Sequence, residues 1–180
     1  LASGGGQQMP LLAAAGARCT VLDYSEAQLK SEREVARREG YEIDIVHADM
    51  TKPLPFADES FDLVMNPVSL VFVREVEPIW REVARVLCPG GILVSGLDTG
   101  INYIVDGLPF DPIAEPELAK RLAEEDRGMQ FSHTLEESLG GLLRARFTID
   151  DLYEDTNGEG RLHDLGIPSY LAVRATRLRG

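Results

Sequence analysis

The sequence is short of several things, and each shortage closes off a class of protein. Its 180 residues include only two cysteines, Cys19 and Cys88, which form neither a disulfide framework nor a CxxC pair. Reduced thiols in a cytosolic protein are the simpler expectation. Long apolar runs are missing too: stretches such as Ile92-Leu93-Val94 fall far short of the roughly 18 residues a membrane span requires. Positive charge is scarce, with 18 Lys and Arg against 30 Asp and Glu, a formal charge of −12. A field of that sign repels phosphate backbones and anionic lipid, so neither nucleic acid nor a membrane surface is an expected partner. The three histidines, His47, His133 and His163, are scattered, and no Cys/His cluster supports a metal. There is no Ser-His-acid constellation and no carboxylate pair at an informative spacing. No targeting segment is legible at the start, which opens on Leu1 and reads as a cut beginning.

What is present is an ordinary globular composition, 44% apolar and 27% charged, over a length that suits one domain, residues 1–180. Short apolar runs alternate with helical stretches through the first hundred residues, the pattern of stacked βαβ units. Gln7 to Gly16 reads as a helix closed by glycine. Cys19 to Leu22 reads as a buried strand ending at Asp23. Ser25 and Gln28 fit a capping box that opens a helix stopping at Gly40. Ile43 to His47 and Phe61 to Asn66 are further strands, the second ended by Pro67. Pro78 to Leu87 is an amphipathic helix with Ile79, Val83, Val86 and Leu87 on one stripe. A tight turn, Pro89-Gly90-Gly91, leads into the strand Ile92 to Ser95. Prolines break up Leu97 to Ser132, which holds a charged helix, Glu117 to Arg127. Leu135 to Ala145 follows as a helix, and strands Phe147 to Tyr153 and Tyr170 to Ala175 close the chain.

The candidate site begins at Ser3-Gly4-Gly5-Gly6-Gln7-Gln8. Glycines let the backbone turn sharply and bring amides against a ligand, and the following helix N-terminus adds free N–H donors. A flexible linker has the same composition, so this run alone decides nothing. Asp23 decides more: an acid ending the next strand, about 17 residues past the last glycine, can accept both hydroxyls of an adenosine ribose. Asp49-Met50 lies beyond the third strand at the same sheet edge, where a carboxylate can accept from an adenine amino group while Met50 or Tyr24 covers a ring face. Asn66 ends its strand at that rim. Ligands of open α/β sheets bind outside the carboxyl ends of strands, which makes these residues one plausible site.

With these residues in place, the chain resembles the class I S-adenosylmethionine-dependent methyltransferases over nearly its whole length. Leu1 to Gly6 stand in for the family's Leu-Gly-Cys-Gly-Thr-Gly. Val21-Leu22-Asp23-Tyr24-Ser25 is similar to its second-strand acid motif, and Ala48-Asp49-Met50 to its adenine-contacting pair. Leu54 to Val64 resembles the segment entering the fourth strand, and Arg85 to Gly91 the Pro-Gly-Gly turn before the fifth. The resemblance implies a Rossmann-like three-layer α/β sandwich around a mostly parallel seven-stranded sheet. In it the last strand is antiparallel and the first is truncated at the N-terminus. It further implies S-adenosylmethionine as cofactor and methyl transfer to a small molecule by in-line displacement. Ser3, Gly4, Gly5, Gly6, Gln8, Asp23, Tyr24, Asp49, Met50 and Asn66 are then the cofactor-binding candidates. Two positions depart from the family pattern: Ala2 replaces the first motif glycine, which loosens the expected turn, and Cys88 stands where a basic residue is usual.

Such a displacement needs alignment and exclusion of water more than acid–base chemistry, and no catalytic residue is assigned. His133 follows the variable segment and is the histidine placed to face an acceptor; it also reads as an ordinary helix-start residue. Substrate choice is expected in the lid of residues 97–132, where Tyr103, Phe110 and Phe131 suggest a partly apolar cover. Two other classes stay open: a methyltransferase-like protein that binds or scaffolds without catalysis, and a nicotinamide-dependent oxidoreductase. Met9 disfavours the second, because the dinucleotide fingerprint wants a third glycine there.

Overall fold

A computed structural model of the chain describes residues 1–101, 111–114, 116–117, 119–120 and 129–179. The alternation of strand and helix is as the sequence implies. Helix α1 (Met9–Ala14) leads to strand β1 (Cys19–Asp23), which pairs in parallel with β2 (Ile43–His47) across helix α2 (Glu26–Glu39). Ser25 caps α2, its Oγ accepting from the Gln28 amide at 3.4 Å, and Gly40 ends it in the left-handed conformation at φ 75°. The Gln28 side chain does not complete the expected capping box but lies against Gly5.

The second sheet is mixed. Strand β3 (Phe61–Asn66) runs parallel to β4 (Leu87–Asp98), while β6 (Tyr170–Arg177) is antiparallel to both β4 and β5 (Phe147–Asp155), in the order β3-β4-β6-β5. The antiparallel last strand is as expected; the single seven-stranded sheet is not found. The described residues form six strands, in one sheet of two and one of four. The expected Pro89–Gly91 turn survives as a bulge inside β4. Phe61 pairs with Leu87 and Leu63 with Ile92, so five steps on one strand meet two on the other.

Helix α3 (Glu77–Val86) covers this sheet with Ile79, Trp80, Val83 and Val86, all buried, and Trp80 joins Leu93, Leu97, Leu142, Phe147 and Val173 in the main core. Trp80 is missing from the stripe read off the sequence. Its Nε1 donates to the Ser138 carbonyl at 3.0 Å. The carbonyl belongs to a π-helical turn, Glu136–Gly140, that continues into Gly141–Arg144, so the helix expected over Leu135 to Ala145 is present with a wide turn inside it. Close packing calls for glycine there: a Cβ on Gly141 would sit 3.0 Å from Trp80 Cδ1. The loop before β3 is pinned by Arg85, which donates to the Leu54 and Phe56 carbonyls and to Asp58 and Glu82. Arg85 and the Leu54 amide, 2.7 Å away, hold the Glu82 carboxyl below its ordinary range despite partial burial.

The facing edges of β1 and β3 are joined at one end by Leu1 and Ala2. The Leu1 nitrogen donates to the Met65 carbonyl (2.7 Å) and the Ala2 amide to the Leu22 carbonyl (2.8 Å). Beyond them lies a slot of about 560 Å³ lined by both strands, with Met9, Leu12 and Val86 among its walls.

Candidate functional site

A cavity of about 760 Å³ opens at the carboxyl ends of β1, β2 and β3. The glycine loop forms one side. Ala2 keeps the tight turn that its side chain was expected to loosen: it takes φ 53°, a left-handed conformation costing an L residue roughly 1–2 kcal/mol. Gly4, Gly5 and Gly6 continue at φ 67°, 85° and 101°. Gly4 lines the cavity with Gln7 and Gln8. Gly5 and Gly6 serve the other side of the turn, where it meets α2. The Gly5 carbonyl accepts from Ser31 Oγ at 2.8 Å, and a Cβ on Gly6 would meet Val35 Cγ2 at 2.8 Å. Ser3 is buried behind the loop, its Oγ without a hydrogen-bond partner.

The acids lie where a ligand crossing these strand ends would meet them. Asp23, 8% exposed, accepts from the Ser25 amide through Oδ1 at 2.8 Å, leaving Oδ2 for a ligand. Asp49 accepts from the Thr51 amide (2.8 Å) and hydroxyl (2.7 Å). Burial pushes the Asp49 carboxyl up, but these Thr51 bonds and nearby Lys52 leave it below the ordinary value. Met50 and the exposed ring of Tyr24 complete this wall. Tyr24 is steadied by His47, whose Nε2 is 2.8 Å from the Tyr24 carbonyl oxygen.

Asn66 is placed differently from the other candidates. It is fully buried; its Nδ2 donates to the Leu1 carbonyl and Ser69 Oγ, and its Oδ1 accepts from Ser95 Oγ. These bonds tie the start of the glycine loop to β3 and β4, and Asn66 does not line the cavity. The wall it supports was not legible in the sequence: Pro67, Val68, Ser69, Phe72 and Val73, on the turn after β3. Gly96 of β4 admits this turn, since a Cβ there would stand 2.8 Å from Val68 Cγ2.

His133 does not face the cavity. Its Nε2 is 3.0 Å from the Leu70 carbonyl oxygen, next to a true capping box in which Thr134 and Glu137 exchange bonds. Phe131 is buried, and its amide donates to the Val71 carbonyl at 2.7 Å, which docks this part of the chain on the Leu70–Phe72 turn. Tyr103, Phe110 and most of the helix expected over Glu117 to Arg127 lie outside the described residues. Among the described residues no group of His, Cys, Asp and Glu is arranged to hold a metal, and no helix is long and apolar enough to cross a membrane.

Glycine loop, strand-end acids and parallel strands meet at one cavity, and comparison with known proteins names the family. A model of the methyltransferase domain matches residues 1–95. The chain belongs to the methyltransferase domain family. The methyltransferase is 40% identical over 193 residues to the uncharacterized methyltransferase YbaJ of Bacillus subtilis, covering 99% of this chain and 75% of that one. It is 42% identical over 97 residues to a demethylmenaquinone methyltransferase of Clavibacter sepedonicus, covering 52% of this chain and 38% of the relative. In structure it is similar to an S-adenosylmethionine-dependent methyltransferase from Mesorhizobium loti, with a TM-score of 0.75 and 25% identity over 97% of this chain and 87% of the other.

Proposed function

We propose that the protein transfers the methyl group of S-adenosylmethionine to a small-molecule acceptor. The observation that carries the reading is the convergence of Gly4, Gln8, Asp23, Asp49 and Met50 on one cavity at the strand ends. These residues fit the cofactor. The left-handed loop sets the backbone of Gly4 at the cavity wall, Asp23 keeps a carboxylate oxygen for ribose hydroxyls, and Asp49 and Met50 offer an acceptor and an apolar face for the base. When bound, the cofactor supplies a methyl already activated on sulfonium sulfur. The protein's own work is then to fix the reactants and keep out water, so orientation supplies most of the acceleration. Tyr24, exposed beside Asp23, is positioned to cover the bound nucleoside. Ser3 and Asn66 act behind the loop as its support.

The finer organisation follows the same reading. The seven-stranded sheet belongs to this reading, supported by the backbone bonds of Leu1 to β3 and of Ala2 to β1. Residues 1–180 then make one domain with a lid over 97–132, working in the cytoplasm without nucleic acid or membrane as partner. Titration calorimetry tests the function: one site for S-adenosylmethionine and none for NADH is the expected result, and absence of the first overturns the proposal. Release of S-adenosylhomocysteine across an acceptor screen separates a catalyst from a protein that only binds.

A further inference from the structure

The cavity has two unlike halves. All its charge belongs to the half built by the glycine loop and the ends of β1 and β2: among the described lining residues, Asp23 and Asp49 are the charged ones. The half after β3 presents Pro67, Val68, Phe72 and Val73, with Ser69 as its one polar side chain. Ser69 is buried, and its Oγ already accepts from Asn66. No Lys, Arg or His is among the described lining residues, so nothing there neutralises a carboxylate or phosphate on an acceptor. Arg74, next in sequence to Val73, is turned to Asp111 at 2.7 Å. Among the described residues of this wall there is no carboxylate to hold an ammonium group.

The wall is also more open than a core surface. Phe72 is 56% exposed and Val68 38%, although both are large apolar residues next to the buried Val73 and Ser69. An aromatic ring left this open at the mouth of a ligand cavity marks a contact surface. Gly96 and the Phe131–Val71 bond hold the turn from opposite sides, so the wall is fixed before a ligand arrives. Burying an ionised group against such a surface, without a partner, is strongly unfavourable.

Building on the methyltransferase reading, we infer that the acceptor is an uncharged, apolar molecule that packs a flat face against Phe72 and Val68. The described wall selects by exclusion: among its residues an anion meets no cation and faces the negative field of Asp23 and Asp49, and a cation finds no acid.

The experiment uses the full chain saturated with S-adenosylhomocysteine and three probes of one shape at neutral pH: 2-naphthol (neutral), 2-naphthoate (anionic) and 2-naphthylmethylamine (cationic). Calorimetry is expected to show 2-naphthol bound at least about tenfold tighter than either ion. Phe72→Ala is expected to weaken 2-naphthol at least about fivefold and Phe72→Asp further, with S-adenosylhomocysteine affinity unchanged within about twofold. Phe72 is exposed, so both variants should fold, and thermal denaturation verifies it. Three results overturn the inference: an ion binding as tightly as 2-naphthol, Phe72 variants that leave 2-naphthol unaffected, or no 2-naphthol binding to the loaded protein. A protein that does not bind S-adenosylhomocysteine sinks the methyltransferase reading and this inference with it. A loaded protein that refuses 2-naphthol sinks this inference alone.

Discussion

Replacing Asp23 by Asn removes one oxygen and one charge with almost no change of shape. In the folded chain Oδ1 is engaged by the Ser25 amide at 2.8 Å, so the carboxylate has Oδ2 and one spare lone pair left for a ribose. The asparagine has a single oxygen, which the Ser25 amide claims, and its NH₂ then faces the ligand. The loss is one charge-assisted hydrogen bond, about 1.5–3 kcal/mol, or about 10- to 150-fold in Kd for S-adenosylmethionine. Folding should hardly notice, because the Ser25 amide keeps its acceptor. Asp23→Ala behaves differently: it orphans that amide at the mouth of α2, costs about 1 kcal/mol of stability, and lowers Tm by roughly 2–4 °C. Calorimetry measures the first effect and scanning denaturation the second. An Asp23→Asn protein that binds S-adenosylmethionine within twofold of the parent would refute the placement of the ribose on this carboxylate.

Gly6→Ala forces a Cβ to 2.8 Å from Val35 Cγ2 at φ 101°. The expected cost is about 2–4 kcal/mol of stability with cofactor affinity lost in parallel, and adding Val35→Ala should restore only the steric share in urea titrations. Trp80→Phe removes the 3.0 Å indole donor from the Ser138 carbonyl, which keeps the Gly141 amide; circular dichroism during urea unfolding should report a loss of about 0.5–1.5 kcal/mol. The carboxyl of Glu82 is depressed in the folded state, chiefly by hydrogen bonds from Arg85. Its stabilisation is therefore complete above the ordinary value of 4.5 and lost as pH falls through the lower folded value. Glu82→Gln should be less stable than the parent at neutral pH and converge on it under acid, in urea midpoints measured from about pH 7 down to 3; parallel curves would show that Glu82 is not the titrating group.

The strands and the first acid were legible because their signals are local. A run such as Ile43 to His47 has the length and pattern of a strand whatever surrounds it, and the observed β2 has those same ends. Gly40 likewise announces a helix stop by chemistry alone. What escaped the sequence depends on residues far apart in it. Trp80 packs against Gly141 across 61 positions, a close approach that no periodicity in Leu135 to Ala145 reveals. Asn66 ends a strand at the expected rim, yet partners at Leu1, Ser69 and Ser95 turn its amide inward. The apolar wall at Val68 and Phe72 reads in sequence as scattered hydrophobic residues after a proline; only the approach of β4 at Gly96 makes a surface of it.

The division into two sheets does not divide the core. Leu22 of β1 packs with Leu54 and with Val86 of α3, and Val46 of β2 and Val64 of β3 lie against the same group. Leu1 and Ala2 add backbone bonds between the two strand edges. Gly4, Asp23 and Asp49 on one side of the cavity and Val68 and Phe72 on the other therefore rest on one apolar foundation, which sets the distance between them. Loading the cofactor should slow amide exchange in β1 and β3 together.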